Sequence, residues 1–278
     1  MSDLPTFDPK LRIGAHMGTS GGLYNALLKG KEAGCDIVQI FTKSPQQWKA
    51  KPLTDEDVER FLQAQRDTGI RCMAAHDTYL INPASADPEI LRKSREALAD
   101  EMQRSARLRL PYVVMHQGAL GTATEDEALG RLIESVRYAL AHTPDDGPVL
   151  LLENTAGQGK CLGYRFDQIA RVLEAVDAGP RLGVCLDTCH LFAAGYDIRD
   201  AEHYQATMDE LDRIIGLKHI RMIHANDSKK ELGSRVDRHE AIGQGHIGPE
   251  AFRLLLTDPR LAEVPVLLET PKEGNMDP

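Results

Sequence analysis

Six short apolar runs, each long enough for a buried strand, stop at a His, an Asp or a Glu. Residues 71–75 run into His76, 111–115 into His116 and 149–152 into Glu153. Residues 182–186 run into Asp187, 220–223 into His224 and 266–268 into Glu269. Near-continuous apolar runs are what parallel strands covered on both faces look like. Helical stretches separate most of them, so the spacing predicts parallel neighbours whose C-terminal ends share one face. Three imidazoles and three carboxylates would then converge. At the C-terminal mouth of a barrel, that donor set points to a metal-dependent enzyme.

The alternation of strand and helix can be followed from residue 11 to the end. A strand is expected over 11–15, a helix over 23–33 and a second strand over 36–41. Thr54 has the chemistry of an N-cap, and Asp55, Glu56 and Asp57 suit a first helical turn. Gly69 should stop that helix. Further helices are expected over 88–108, 125–141, 166–176 and about 204–215. A loop over 225–248, rich in Gly and charge, precedes a short helix near 249–256; long loops on such a face carry substrate or metal contacts. After strand eight, which ends at Glu269, nine residues remain. That is too few for a full helix, so the last helix should be short or missing. No repeat, low-complexity tract or linker interrupts the chain. The expectation is one α/β domain, a single (β/α)8 barrel over 1–278.

Composition changes this picture little. The 278 residues are 42% hydrophobic and 27% charged, which describes a globular protein with a real core. Apolar stretches are strand-sized and the N-terminus lacks a signal-like segment, so a cytoplasmic protein without a membrane span is expected. Five scattered cysteines suit reduced core thiols rather than a disulfide framework. The net charge of -9 argues against a general nucleic-acid coat protein. It does not exclude a local site, because bound cations would offset part of it.

A lone buried His is more often a hydrogen-bonded core residue than a ligand, but His76, His116 and Glu153 at three successive strand ends favour a metal. Asp187 and His190, three apart, share one side of a helical turn; the alternative makes Asp187 an N-cap and His190 a surface residue. Asp237 and His239 are two apart, so in extended backbone both can reach one ion. Read alone, Asp237-Arg238-His239 is a charged loop, and its place in the Gly-rich loop after His224 tips it towards metal. Cys185 and Cys189 lack a second Cys pair and should pack in the core. Gly157-Gln158-Gly159 lacks the Lys-Ser/Thr element of a phosphate loop. His142, His203 and His219 should be solvated, and His16, ending strand one, should support the ligands or meet a phosphate. The nine candidates are His76, His116, Glu153, Asp187, His190, His224, Asp237, His239 and Glu269. They exceed what two ions require and fit three with Glu153 bridging. Such ligands favour Zn²⁺, with Mn²⁺ or Fe²⁺ possible. Three clustered cations imply a substrate with concentrated negative charge, naturally a phosphodiester.

Three blocks carry a more specific signal: Leu152 to Gly159 (LENTAGQG), Gly183 to His190 (GVCLDTCH) and Gly233 to His239 (GSRVDRH). With them the chain resembles the endonuclease IV family of metal-dependent apurinic/apyrimidinic endonucleases, or deoxyribonucleases IV, over nearly its whole length. The resemblance implies a xylose-isomerase-like TIM barrel with three Zn²⁺ ions. His76, His116 and Glu153 would hold the first; Glu153, Asp187, His224 and Glu269 the second; His190, Asp237 and His239 the third. It implies double-stranded DNA with abasic sites or blocked 3′ ends as partner, cleavage 5′ of the lesion, and base excision repair by a monomer. Glu153 would be catalytic as the bridge, and Glu269 would orient or deprotonate the attacking water. Tyr79 and Leu80 would wedge into the DNA, where an abasic nucleotide flips at low cost. Gln47 and Trp48 match a further DNA-contact loop, and Arg238 and His16 are additional expected contacts. Ser44, Pro45 and Gln46 depart from the family pattern, as does Gln117 after His116.

Two other function classes fit part of the pattern. Sugar isomerases and epimerases use the same barrel with one or two metals, but need neither the His190, Asp237 and His239 trio nor a Tyr-Leu wedge. A non-enzymatic binding module would leave so many ligands unused.

Overall fold

The computed structural model describes Leu4, Asp8, Lys10 and residues 12–270. Eight parallel strands close into a barrel in sequence order: β1 (Ile13–His16), β2 (Ile37–Phe41), β3 (Arg71–His76), β4 (Tyr112–His116), β5 (Val149–Glu153), β6 (Leu182–Asp187), β7 (Ile220–His224) and β8 (Val266–Leu268). The last strand pairs with both β7 and β1, which completes the ring. Helices α1 (Asn25–Glu32), α2 (Asp55–Thr68), α3 (Pro88–Arg107), α4 (Glu125–Ala141), α5 (Phe166–Val176), α6 (Thr188–Ala194), α7 (Ala201–Ile214) and α8 (Pro249–Thr257) belong to the connections. Among the described residues no helix is long and apolar enough to cross a membrane. The expected start of strand one at Leu11 and the question of a helix over 271–278 lie outside the described residues.

Local chemistry explains the boundaries. Thr54 caps α2 in a reciprocal capping box with Asp57, and Gly69 ends it at a φ of 75°, a conformation glycine adopts without strain. Thr124 and Glu127 form the same box at the start of α4. Helices α4 and α5 keep their expected bounds, α1 is shorter by two residues at its start and one at its end, and α7 begins three residues earlier than expected. The short α6 was not expected as an element. It arises because the Asp187 carboxylate accepts the His190 N–H and caps a new helix directly at the strand end.

Strand periodicity places the site. Ile37, Ala74, Val114, Leu151, Cys185, Met222 and Leu267, together with Met73, form an apolar cluster inside the barrel to which each of β2 to β8 contributes. Residues i and i+2 of a strand share a face. Two residues beyond this floor stand Gln39, His76, His116, Glu153, Asp187, His224 and Glu269, and two beyond Gly14 of β1 stands His16. The barrel therefore lifts a ring of polar side chains above a dry layer. The intervening residues, such as Leu150, Leu152, Val184 and Leu186, face outward and pack with the helices. Cys72, Cys185 and Cys189 are buried thiols outside any disulfide.

Gly14 stands opposite Ile37, and a Cβ there would lie 1.7 Å from the Ile37 carbonyl oxygen. Gly14→Ala should therefore force backbone atoms apart and destabilise the barrel by about 1–3 kcal/mol or more. The check is a lowered urea midpoint with an unchanged slope; an unchanged midpoint would show that β1 yields freely.

Candidate metal centre

Glu153 is the centre of the ring. It is fully buried, and each carboxylate oxygen faces its own pair of imidazoles. Oε2 lies 3.0 Å from His76 Nε2 and 3.1 Å from His116 Nε2. Oε1 lies 2.9 Å from His224 Nδ1 and 3.5 Å from His190 Nδ1. Burial alone would raise this carboxyl's pKa, but the His224 and His116 imidazoles hold it well below the usual range. Glu269 stands beside it, its Oε2 3.2 Å from His224 Nδ1. Its pKa too is held low, with burial opposing and His224 as the largest cause in the other direction.

One nitrogen of several rings is tied down. His76 Nδ1 lies 2.9 Å from the Asp77 carbonyl, and His190 Nδ1 2.9 Å from the Asn154 carbonyl. His224 Nε2 lies 3.0 Å from Gln39 Oε1 and His239 Nδ1 3.3 Å from the Glu269 carbonyl. A carbonyl oxygen can only accept, so in a neutral ring that nitrogen carries the hydrogen and the other presents a lone pair. Those lone pairs point at carboxylates, a repulsive arrangement unless a cation lies between them. The cation can be a proton: burial opposes it, yet hydrogen bonds and neighbouring carboxylates, with Cys185 ahead of them at His224, raise the pKa values of His76, His190 and His224 well above the ordinary value. It can equally be a metal ion, and fixing the ring tautomer from behind is how metal-binding histidines are prepared. The His239 Nε2 atom, buried with no hydrogen-bond partner among the described residues, fits the same need.

Three groups of donors lie close enough to hold ions. His76, His116 and Glu153 form one, and Glu153, Asp187, His224 and Glu269 a second. In the third region the close group is Asp187, His190 and His239. Asp237 joins it pairwise, with Oδ2 3.1 Å from His190 Nε2 and Oδ1 3.3 Å from His239 Nε2. Cys185 and Cys189 lie near enough to join two further groups. Both thiols are buried, and desolvation pushes Cys185 up to about 12 and raises Cys189 as well, which favours packed, protonated thiols. Asp187 is both a strand end and a helix N-cap, and His190 is buried rather than on the surface.

Residues 27–278 match the family described as a xylose isomerase-like TIM barrel. The probable endonuclease 4 of Chloroflexus aurantiacus is 49% identical over 265 residues, covering 95% of this chain and 93% of that protein. The crystal structure of endonuclease IV from Thermus thermophilus superposes with a TM-score of 0.83 at 37% identity, covering 95% of this chain and 94% of that one. The chain belongs to the endonuclease IV family. A D-psicose 3-epimerase from Clostridium cellulolyticum shares the fold alone, with a TM-score of 0.67 at 16% identity, over 95% of this chain and 87% of that one.

Four supports of this endonuclease IV site escaped the sequence reading. Gln39 is buried; its Nε2 donates to Glu269 Oε1 at 2.7 Å while its Oε1 meets His224. Asn226 donates to Asp187 Oδ2 at 2.6 Å and accepts the Glu269 N–H. Asn154 accepts the Asp187 N–H at 2.7 Å. Asp77 supplies the carbonyl that fixes His76. The signal for Gln39 was present, since a polar residue interrupts the apolar run Ile37-Val38-Gln39-Ile40-Phe41.

The expected DNA contacts divide by exposure. Tyr79 is 66% exposed, its ring edge-on to Phe41 at 5.6 Å, and Leu80 beside it is half-buried. Gln47 and Arg238 are exposed, whereas Trp48 is half-buried and packs against the core. His16 is buried beneath the mouth, 3.1 Å from Gln39 Nε2 and 3.6 Å from Glu269 Oε1, which sets it behind the ligand candidates. Lys43 is also turned inward, to Asp100 at 2.7 Å and Glu101 at 3.3 Å, and Arg104 binds the Thr42 carbonyl. These bonds pin the root of the Gln47-Trp48 loop to α3.

Gln39→Leu should keep the shape of the floor while releasing both His224 and Glu269. Loss of such an outer hydrogen bond typically weakens metal affinity about 10- to 100-fold. Competition with a chromophoric chelator measures it, and wild-type retention in the folded variant would show that Gln39 only fills space.

Proposed function

We propose that this chain is a zinc-dependent apurinic/apyrimidinic endonuclease. It hydrolyses the phosphodiester 5′ of an abasic nucleotide, leaving a 3′-hydroxyl and a 5′-deoxyribose phosphate, and trims blocked 3′ ends in base excision repair. The observation that carries this reading is the third donor region around His190, Asp237 and His239, beside the two groups that share Glu153. A sugar epimerase needs one or two ions and a pocket for a small polyol. Three ions suit the charge of a phosphodiester, and membership of the endonuclease IV family supports the same assignment.

His76, His116 and Glu153 would hold one ion, Glu153, Asp187, His224 and Glu269 a second, and His190, Asp237 and His239 a third. When bound, the ions supply Lewis-acid stabilisation of the charge that builds on the phosphoryl oxygens and acidify the attacking water. Glu269, anchored through Oε1 by Gln39, accepts that water's proton on its carboxylate. A bond forms from the water oxygen to phosphorus in line with the bond that breaks, to O3′ of the preceding nucleotide; O3′ takes a proton from solvent water as it leaves, and Glu269 returns its proton to solvent. Glu153 would be a ligand common to the first two ions, its Oε2 facing His76 and His116 and its Oε1 facing His224. Tyr79, exposed and edge-on to Phe41, fills the stack where the abasic nucleotide has turned out.

The deciding experiment combines metal analysis with a duplex containing one tetrahydrofuran residue. About three zinc ions per chain and a single nick 5′ of the lesion are expected. A zinc-loaded protein that leaves this duplex intact and epimerises a ketose would overturn the assignment. Tyr79→Ala should keep its metal and lose about 5- to 150-fold in affinity for the abasic duplex, since a stacked aromatic contributes roughly 1–3 kcal/mol. Binding of abasic and intact duplexes at one fixed salt concentration is the check; equal discrimination by variant and wild type would remove the wedge.

A further inference from the structure

Asp227 is not among the nine ligand candidates, yet the loop that carries two of them is built around its side chain. The residue is fully buried, and among the described residues no ion pair neutralises it. Its carboxylate instead accepts four backbone N–H groups. Oδ1 takes those of Ser228 at 2.8 Å and Ile247 at 2.9 Å. Oδ2 takes those of Gly243 at 2.9 Å and Gly245 at 3.1 Å. A carboxylate without solvent is tolerated when its lone pairs are filled in this way.

The backbone of the same residue opens the hairpin that holds His239. Asp227 pairs with Glu240 and Ser228 with His239 in a two-stranded antiparallel ribbon. The Lys229 N–H reaches the Arg238 carbonyl at 2.9 Å, and the His246 N–H reaches the Ser228 carbonyl at 2.8 Å. After the ribbon the chain wraps around the carboxylate through residues 243–247. Gly245 comes so close that a Cβ there would lie 2.4 Å from Asp227 Oδ1 and 2.4 Å from the Ser228 carbonyl oxygen. At the far side the Asp237 N–H is held by Gln158 Oε1 at 2.9 Å. The strand carrying Asp237 and His239 is thus suspended between Gln158 at one end and the Asp227 knot at the other.

We infer that Asp227 is a positioning residue that sets where Asp237 and His239 stand, and so tunes the affinity of the third ion separately from the other two. The inference rests on the reading of these residues as ligands given under Proposed function. Asp227→Asn keeps the size of the side chain but turns one oxygen into an NH₂ group. Each oxygen already receives two N–H groups, so either orientation of the amide aims donors at donors.

Stepwise zinc titration against a chromophoric chelator should show the weakest equivalent lowered about 10- to 100-fold, with two equivalents held as in wild type. Nicking by the variant should fall in kcat at limiting zinc and recover in excess zinc, with KM for the abasic duplex unchanged. A general loss of structure would not produce that split. Gly245→Ala disturbs the same knot from the other side and should give the same selective loss, and it decides the matter if Asp227→Asn does not fold. Three equivalents at wild-type affinity in the folded variants would overturn the inference. If wild type itself holds fewer than three ions, the trinuclear reading fails, and tryptic cleavage at Lys229, Lys230, Arg235 and Arg238 becomes the test. Faster cleavage in Asp227→Asn than in wild type would then support the knot, and equal rates would overturn it.

Discussion

Glu153 is an ionised group placed where water does not reach, and the rest of the site follows from neutralising it. An isolated buried carboxylate would be protonated or would unfold its surroundings. Here each oxygen faces two imidazoles, and those rings in turn need acceptors on their outer nitrogens. Gln39 meets that requirement for His224 and the Asp77 carbonyl for His76, while the Asn154 carbonyl takes the same His190 nitrogen that faces Glu153 and the outer His190 Nε2 turns to Asp237. A third layer holds the carboxylates, with Asn226 on Asp187 and Gln39 on Glu269. Each layer exists because the layer inside it is charged and dry. Breaking a link leaves a buried group unpaired, which costs more than the link itself is worth.

Barrel periodicity makes this arrangement cheap to specify. Apolar residues from each of β2 to β8 close the bottom, and the residue two beyond Ile37, Ala74, Val114, Leu151, Cys185, Met222 or Leu267 emerges above it on the same side. No loop is needed to aim the side chains of the ring. Only the third region depends on loop structure, and there the geometry is less regular: Asp187 joins His190 and His239, while Asp237 reaches both rings from the exposed side. Residues Lys43, Glu101 and Arg104 give the Gln47-Trp48 loop a rigid root in the same spirit, by tying it to a long helix.

What could be read from the sequence was whatever obeyed a short period or a local rule. The six runs that stop at His76, His116, Glu153, Asp187, His224 and Glu269 are legible because apolar strand and polar end are contiguous. Helices α4 and α5 are legible because each has a clear apolar stripe, and α2 because Thr54 and Gly69 mark its ends. Gln39 was overlooked because an uncharged residue inside an apolar run carries no obvious chemistry until His224 and Glu269 are seen around it. Helix α6 was overlooked because Asp187 serves two elements at once. The Asp227 knot has no local signature at all, since the N–H groups it gathers beyond its neighbour lie 16, 18 and 20 residues away.

The barrel's shortest strand is also its closing one. Strand β8 has three residues, lies between β7 and β1, and leads directly into Glu269. The donors that meet at Glu153 are spread from β3 to the residue after β8, so no fragment made earlier on the ribosome contains a finished site. An ion that needs Glu269 together with Glu153 can be captured only after the ring has shut. Its binding free energy then falls entirely on the closed form and is withheld from every partly assembled one. A cation held there would act as a latch on the seam, loaded only once the strands from β3 to β8 are in place.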